Sequence, residues 1–290
     1  MPELPEVETI RIGLQKKIVG QTIKEIEVLS PKSFIGDSKN VSSRKVLNIR
    51  RFSKLLSIDL SSGISLAIHL KMTGQLIWKG ESEKGKGERF IGGHPTPDMV
   101  GPLPNKTTRV IFTFSDQSKL YFNDQRRFGW IKIVETSKIA LEKYVEGLGP
   151  EPLEKEFTWQ ILKSNLLNHK SQAIKVALMD QSVVSGVGNI YANEACFNAK
   201  LDPKIAPSKM TDKQFRALYK GVIKALQDGI RYGGSSRAHF VDPDGHKGYF
   251  LDYAYVYWRD KHPCKICGTE IKKVQLGGRG SYFCPNCQSS

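Results

Sequence analysis

The sequence predicts an α+β protein. A β-rich N-terminal part with a leading helix is followed by a helical part and a C-terminal cysteine ribbon. Apolar residues alternate with polar ones over residues 22–134, which favours half-buried strands. After residue 155 they recur every three to four positions, which favours helices. Four of the five cysteines form two CxxC pairs near the C-terminus, which is typical of a metal-binding module.

Composition and charge narrow the class of protein. With 290 residues, 39% hydrophobic and 25% charged, the chain is expected to be a soluble globular protein with room for two domains. Its net charge of +15 favours a polyanionic partner such as nucleic acid, the alternative being a basic protein without one. No stretch approaches the ~18 apolar residues of a membrane span, and the N-terminus lacks a signal pattern. We therefore expect no membrane association. The cysteines are clustered rather than spread as a disulfide framework, which favours a reducing, intracellular setting.

The elements of the N-terminal part follow from their apolar patterns. A helix is expected to begin near Pro5, because apolar residues follow at helical spacing: Val7, Ile10, Leu14 and Ile18. Alternating runs at 56–60 and 64–70 flank Ser61-Ser62-Gly63 and predict a hairpin. Further strands are expected at 110–114, 120–122 and 130–133. Residues 79–105, rich in Gly, Pro, Lys and Glu, are predicted to form a long surface loop.

A stretch of glycines and prolines at residues 147–152 predicts a domain boundary, and the pattern after it is helical. Helices are expected at 159–166, 173–179 and 190–199. Another is expected after Thr211, which with Gln214 makes a capping box. Its apolar stripe is interpreted as core: Phe215, Leu218, Val222, Leu226 and Ile230.

The two CxxC pairs predict one structural Zn²⁺ per chain. Cys264 and Cys267 are separated from Cys284 and Cys287 by a spacer long enough for a β-hairpin. Four thiolates in two close pairs suit tetrahedral zinc, the alternatives being two disulfides or unrelated thiols. The surplus of Lys and Arg around them suits contact with phosphate. Cys196 is interpreted as a buried packing residue rather than a nucleophile.

The N-terminus is a candidate nucleophile. Removal of Met1 would expose the secondary amine of Pro2. An α-amino group has a pKa of ~8 against ~10.4 for lysine, so far more of it is unprotonated at neutral pH. Its attack on C1′ of a deoxyribose would give an iminium ion that promotes elimination of the phosphates, and the neighbouring Glu3 is placed to move protons. Pro-Glu at positions 2 and 3 also fits a merely solvated N-terminus.

Several motifs together resemble those of the formamidopyrimidine-DNA glycosylase family, in the same order along essentially the whole chain. They are Met1-Pro2-Glu3-Leu4-Pro5-Glu6, His69-Leu70-Lys71-Met72-Thr73-Gly74, Asp124-Gln125-Arg126-Arg127-Phe128-Gly129, Gly186-Val187-Gly188-Asn189-Ile190-Tyr191 and the four-cysteine ribbon. The resemblance implies an N-terminal β-sandwich catalytic domain over 2–135, a linker over 136–155 and a helix-two-turn-helix domain over 156–240. A zinc ribbon over 250–290 completes the implied architecture.

The resemblance also implies roles for individual residues. Pro2 would be the Schiff-base nucleophile, Glu3 the general acid, and Lys54 a phosphate contact that assists β-elimination. Arg279 would grip phosphate and assist δ-elimination. Met72, Arg126 and Phe128 would fill the gap left by an extruded base, and Arg127 and Asn189 would bind phosphate. From their residue types alone, Lys54 would be a solvated strand-end charge, Arg126 a surface charge and Phe128 a core residue.

The implied activity is removal of oxidised purines from duplex DNA, with cleavage of the abasic site by β,δ-elimination. The implied protein is a cytoplasmic, nucleoid-associated monomer acting on damaged DNA. The alternatives are an endonuclease VIII-like glycosylase for oxidised pyrimidines and a non-catalytic zinc-ribbon DNA-binding protein. One departure is that no histidine precedes Val110 where the family often has one, and His94 is a candidate replacement. Tyr249 and Phe250 lie near the family's loop over the damaged base.

Overall fold

The structure is a computed structural model that describes residues 1–81, 88–93, 101–235 and 250–288. These residues form two compact units. The first comprises residues 1–146 with 233–235, and the second comprises residues 147–232 with 250–288. Within the described ranges, no helix has the length and apolar character needed to cross a membrane. The predicted domain limits at 135, 155 and 240 stay a prediction.

The first unit is a β-sandwich with a leading helix, as predicted. Its helices are α1 (Leu4–Ile18) and α2 (Lys143–Glu146). Its strands are β1 (Ile23–Val28), β2 (Phe34–Ile35), β3 (Val46–Phe52), β4 (Leu55–Leu60), β5 (Ile64–His69), β6 (Gly74–Lys79), β7 (Arg89–Gly93), β8 (Thr108–Phe114), β9 (Lys119–Asp124) and β10 (Trp130–Glu135). One sheet has the order β1-β8-β9-β6-β7 and the other β2-β10-β5-β4-β3.

Helix α1 packs its apolar stripe into the core that the two sheets enclose. The predicted positions Val7, Ile10, Leu14 and Ile18 are all buried there. The hairpins predicted around residues 61–63 and between 114 and 120 are both present as antiparallel pairs. In β10, Ile131 is buried in this core, whereas its neighbours Trp130 and Lys132 are only partly buried. This agrees with the alternation of side chains between the two faces of a strand.

The prediction of a surface loop over 79–105 is wrong for residues 89–93. These residues form β7, which pairs antiparallel with β6 at the sheet edge. A Cβ on Gly92 would lie 2.4 Å from Cγ1 of Ile10, so a residue without a side chain is required where α1 packs on the strand. The glycines that suggested a loop therefore serve close packing. His94 lies outside the described residues.

The second unit contains the helices and the ribbon. Its elements are α3 (Trp159–Leu167), α4 (Ile174–Ala177), α5 (Asn189–Asn198), α6 (Asp212–Arg231), α7 (Phe250–Tyr253), β11 (Lys272–Leu276) and β12 (Arg279–Phe283). Thr211 and Gln214 form the predicted capping box at the start of α6. Helices α5 and α6 approach closely, since a Cβ on Gly221 would lie 2.5 Å from the carbonyl oxygen of Ala195. Strands β11 and β12 form the antiparallel hairpin expected between the CxxC pairs.

Candidate active site and metal centre

The N-terminal residues are held by the start of α1. Met1 is 44% exposed, whereas Pro2 and Glu3 are buried. Glu3 is the N-cap of α1 and forms a capping box with Glu6: its backbone N–H donates to Oε2 of Glu6 at 2.8 Å. The other oxygen of Glu6 accepts the N–H of Ser235 at 2.8 Å. The chain end that would carry the Pro2 amine therefore has a defined position.

Lys54 lies in the turn between β3 and β4 and is only 4% exposed, so the expectation of a solvated strand-end charge is wrong. The preceding Ser53 has a left-handed φ of 58°. Burial lowers the pKa of Lys54, while the negative charges of Glu3 and Glu6 oppose that change. The structure thus brings Lys54 together with the carboxylates at the N-terminus, which the sequence separation concealed.

An ion pair missed by sequence reasoning joins the two parts of this site. Arg51 donates from Nε to Oε2 of Glu8 on α1 at 2.8 Å, and from Nη1 to the carbonyl oxygen of Ser53 at 3.1 Å. Burial raises the pKa of Glu8, but hydrogen bonds from Arg11 and Arg51 outweigh that effect and leave the pKa lowered. Arg51 therefore links α1, the helix that follows Pro2, to the turn that contains Lys54.

His69 is a second residue whose environment the sequence did not reveal. It is 3% exposed at the end of β5, and its ring lies 4.6 Å from that of Tyr144 and 5.8 Å from that of Trp130. Burial, with Lys71 and Lys54 nearby, lowers its pKa to about 3. Its Nδ1 accepts the N–H of Lys71 at 2.9 Å, so the neutral ring carries its proton on Nε2.

The turn at residues 125–129 presents the predicted gap-filling residues. Asp124, completely buried, accepts the N–H of Arg126 at 3.1 Å and that of Gly129 at 2.7 Å. It also accepts the hydroxyl of Thr73, next to the partly buried Met72. Phe128 is 54% exposed with the Arg126 guanidinium 4.8 Å from its ring centre. The core assignment of Phe128 is therefore wrong, because Asp124 holds the turn outward.

Arg127, in the same turn, is exposed and has a left-handed φ of 58°. Its positive charge contributes to a lowered pKa at the buried Arg109, although burial is the larger cause. The Arg109 guanidinium donates to the backbone carbonyls of Asp124 and Lys106 at 2.9 and 3.0 Å. This cation thus stabilises the base of the turn, which leaves Arg127 and Arg126 on the outside.

In the second unit, a buried lysine lies between Asn189 and the hairpin strand that begins with Arg279. Asn189 is the first residue of α5, after the N-cap Gly188. Lys175, fully buried, donates to the Asn189 side chain and, at 3.5 Å, to the carbonyl oxygen of Gly280. Arg279 is exposed at the hairpin turn, where Gly277 and Gly278 have φ values of 54° and 72°. One buried side chain thus contacts Asn189 and the backbone of the residue after Arg279.

The four cysteines Cys264, Cys267, Cys284 and Cys287 have their Sγ atoms within 4.8 Å of one another. Closest separations are 3.3 Å between Cys267 and Cys287 and 3.5 Å between Cys267 and Cys284. Tetrahedral zinc with bonds of ~2.3 Å needs sulfurs about 3.8 Å apart, so the cluster fits one Zn²⁺. Gln288 supports it by accepting the N–H of Cys284 and donating to Leu201, both at 2.8 Å.

Cys196 and Phe250 are both buried in the second unit. Cys196 is fully buried, and burial raises its pKa to about 12, so it is a packing residue as predicted. Phe250 is 3% exposed, with its ring 5.0 Å from that of Tyr191, and thus belongs to the core of the second unit. That burial argues against a place for Phe250 over a damaged base. Tyr249 lies outside the described residues.

Three family models match the chain. They describe the formamidopyrimidine-DNA glycosylase N-terminal domain over residues 1–131, the helix-two-turn-helix domain of the same enzymes over 148–240, and a zinc finger found in these glycosylases and isoleucyl-tRNA synthetase over 261–289. The protein class defined by this fold and metal centre is a zinc-containing DNA repair glycosylase.

Similar proteins agree along the whole length. The formamidopyrimidine-DNA glycosylase of Pelotomaculum thermopropionicum is 38% identical, over 99% of both chains. The Thermus thermophilus Fpg structure has a TM-score of 0.81 at 33% identity, covering 99% of this chain and 98% of that one. A Lactococcus lactis Fpg mutant bound to Fapy-dG DNA has a TM-score of 0.85 at 29% identity, with full coverage of both chains. The chain belongs to the formamidopyrimidine-DNA glycosylase family.

Family membership makes the chain a base-excision repair enzyme, a DNA glycosylase with abasic-site lyase activity. It also confirms one structural Zn²⁺ at the four cysteines. The alternative of a non-catalytic zinc-ribbon module is therefore wrong, since the chain also carries the N-terminal domain of these glycosylases over residues 1–131.

Proposed function

We propose that the chain removes oxidised purines, 8-oxoguanine and formamidopyrimidines, from duplex DNA and cleaves the abasic site by β,δ-elimination through a Schiff base on Pro2. One observation carries the proposal: Lys54 is buried beside the negative charges of Glu3 and Glu6, at the chain end that carries Pro2. An amine nucleophile, a carboxyl group and a cation in one place are what this chemistry requires.

In the proposed reaction the Pro2 nitrogen forms a bond to C1′ while the damaged base leaves with the glycosidic electron pair. Glu3 protonates the ring oxygen, the sugar ring opens, and an iminium ion forms between Pro2 and C1′. Loss of a C2′ proton then expels the 3′ phosphate, and a second elimination expels the 5′ phosphate. Hydrolysis of the remaining iminium regenerates the amine. Lys54 stabilises the phosphate leaving in the first elimination, and Arg279 that in the second.

Binding of the extruded-base DNA is assigned to two groups of residues. Met72, Arg126 and Phe128 fill the gap, which fits the exposed Phe128 ring and the cation held over it. Arg127 and Asn189 bind phosphate, and Asn189 does so at a helix start where backbone N–H groups favour anions. We further propose that the enzyme acts as a monomer in the cytoplasm, on nucleoid DNA.

The purine preference is supported by the Lactococcus lactis relative, which was solved with Fapy-dG DNA. A second candidate substrate class has its own support, because the wild-type enzyme from that organism was also solved with DNA containing an oxidised pyrimidine. Parallel cleavage of 8-oxoguanine and oxidised-pyrimidine duplexes separates the two. We expect faster release of 8-oxoguanine opposite cytosine.

Borohydride trapping with an 8-oxoguanine duplex tests the proposed nucleophile. We expect a covalent protein–DNA adduct that Pro2→Gly weakens and an acetylated N-terminus abolishes. An unchanged yield after N-terminal blocking would point instead to a lysine. Intact-protein mass spectrometry provides the companion measurement, since active protein that retains Met1 would contradict the mechanism.

A further inference from the structure

Trp258 combines backbone strain with exposure. It lies between α7 and the first CxxC pair, with a φ of 57° and a side chain 53% exposed. Among the described non-glycine residues with a left-handed φ, it is the one aromatic residue. The left-handed region of backbone φ and ψ disfavours bulky side chains, and such conformations persist mainly where they serve a function. The proposed reaction uses neither the ring nor the strained backbone.

The indole belongs to a row of aromatic rings on the second unit. Trp258 stacks on Tyr257 with ring centres 5.7 Å apart and planes 13° apart. Tyr257 in turn meets Tyr282 edge-on at 5.3 Å, and the Lys273 ammonium lies 5.3 Å from the centre of the Tyr282 ring. Tyr282 is in β12, the strand that begins with Arg279. The row therefore extends from the exposed indole to the ribbon hairpin.

Buried hydrogen bonds hold this row rigidly on α5. The N–H of Tyr257 donates to Oε1 of Glu194 at 2.8 Å, and Glu194 is 1% exposed. The N–H of Tyr282 donates to Oδ1 of Asn193 at 2.7 Å. Helix α5 also carries Asn189, the proposed phosphate contact. Because few degrees of freedom remain to be lost, a ligand that packs on the row meets a preorganised surface.

Charge around Trp258 indicates the kind of ligand. Residues 259–273 contain five Lys and Arg but only two acidic residues. The cations are Arg259, Lys261, Lys265, Lys272 and Lys273. Glu270 is paired with Lys272 at 2.7 Å, so the other four cations of this segment stand against Asp260 alone. An aromatic ring among cations suits a nucleic-acid strand, whose sugars and bases pack on rings while phosphates meet cations.

We propose that Trp258 is a further DNA contact, whose indole packs against the sugar–phosphate backbone of the substrate. The inference rests on the proposed function only in taking damaged duplex DNA as the ligand.

The test uses the full zinc-loaded chain with Trp258→Ala, Trp258→Gly and Trp258→Phe. The probe is a duplex with a tetrahydrofuran abasic analogue, and Kd is measured by fluorescence anisotropy over a range of salt concentrations. We expect the Ala and Gly variants to lose affinity equally, about tenfold, with Phe close to the parent. The dependence of log Kd on log salt should not change, because no ionic contact is removed. The Gly variant should melt at a higher temperature than Ala, since only glycine relieves the strain.

Tyr253→Ala is the matched control, because Tyr253 is 52% exposed and stacked on Tyr232 but lies outside the row. Its affinity should stay unchanged. Unchanged affinity in Trp258→Ala, recovery of affinity in Trp258→Gly, or an equal loss in Tyr253→Ala would each overturn the proposal. Borohydride trapping at saturating DNA separates this result from the mechanism: Trp258 variants should keep the adduct, whereas failure of the Pro2 mechanism removes it from the parent enzyme as well.

Discussion

Lys54 has an ammonium group removed from water and placed beside two carboxylates. Burial favours its neutral form, while Glu3 and Glu6 favour the charged form. A cation in such surroundings interacts more strongly with a nearby phosphate than a solvated lysine would, because less water screens it. The position is consequently better suited to leaving-group stabilisation than its strand-end location in the sequence suggested.

We expect Lys54→Gln to slow cleavage of a preformed abasic site on the order of 100-fold, since a positioned cation is lost from the elimination step. Stability should change little, because the lowered pKa of Lys54 shows that the burial of its charge already outweighs the attraction of Glu3 and Glu6. Single-turnover cleavage and thermal unfolding measure the two effects. Lys138→Gln is the control, as Lys138 is a 61% exposed lysine of the same unit. Equal slowing in both variants would contradict the proposed role of Lys54.

His69 should make stability depend on pH. Its pKa is lowered to about 3 in the folded protein, against a usual value of ~6.5 when unfolded. The unfolded state therefore binds the extra proton first, and the free energy of unfolding should fall as pH drops from about 6.5 toward 3. The expected slope is up to about 1.4 kcal/mol per pH unit. His69→Asn, which keeps an acceptor near Nδ1, should show a flatter profile in urea unfolding at pH 4–6.5. Parallel profiles would contradict a neutral buried ring.

Helix α1 and the β3–β4 turn are joined by the ion pair between Glu8 and Arg51. The Arg51 side chain is 8% exposed and that of Glu8 15%, so the pair is well shielded from solvent. Arg51 also donates to Ser53, the residue before Lys54. The pair thus fixes the position of α1 relative to the β3–β4 turn, as the site requires.

Glu8→Gln should lower the free energy of unfolding by about 2–4 kcal/mol, because it removes the carboxylate that pairs with the shielded Arg51 guanidinium. The rate of borohydride trapping should also fall, since α1, which follows Pro2, is no longer held by this ion pair to the turn that contains Lys54. Denaturant unfolding and the trapping time course are the measurements. Glu135→Gln breaks an exposed pair with Lys138 and should cost under about 0.5 kcal/mol. A similar loss of unfolding free energy in both variants would show that the shielded pair stabilises the protein no more than the exposed one.

Loss of zinc should destabilise the second unit more than the first. The ribbon is bound to α5 through Tyr282 with Asn193, and to the segment after α5 through Gln288 with Leu201. The module has a small core of its own, so metal binding supplies much of its folding free energy. The β-sandwich has a separate large core.

Chelation or Cys267→Ser should therefore raise amide hydrogen exchange across residues 255–288 and abolish DNA binding, while exchange in the sandwich strands stays slow. Hydrogen-exchange mass spectrometry with a DNA-binding assay gives both readings. Cys196→Ser is the control, because Cys196 is buried away from the four ligands and should leave zinc content unchanged. DNA affinity that survives zinc loss would disprove the proposed role of the ribbon.

The sequence by itself determined the features that depend on neighbouring residues. Helix α1, the hairpins and the capping box at Thr211 follow from local periodicity and spacing, and the zinc ligands follow from two short CxxC pairs. Tertiary structure alone decided which side chains are buried from solvent. Lys54 and His69 became buried, Phe128 became exposed, and β7 formed where a loop was expected. The physical reason is that burial and charge pairing depend on partners distant in sequence: Arg51 meets Glu8 across 43 positions, and Ser235 meets Glu6 across 229.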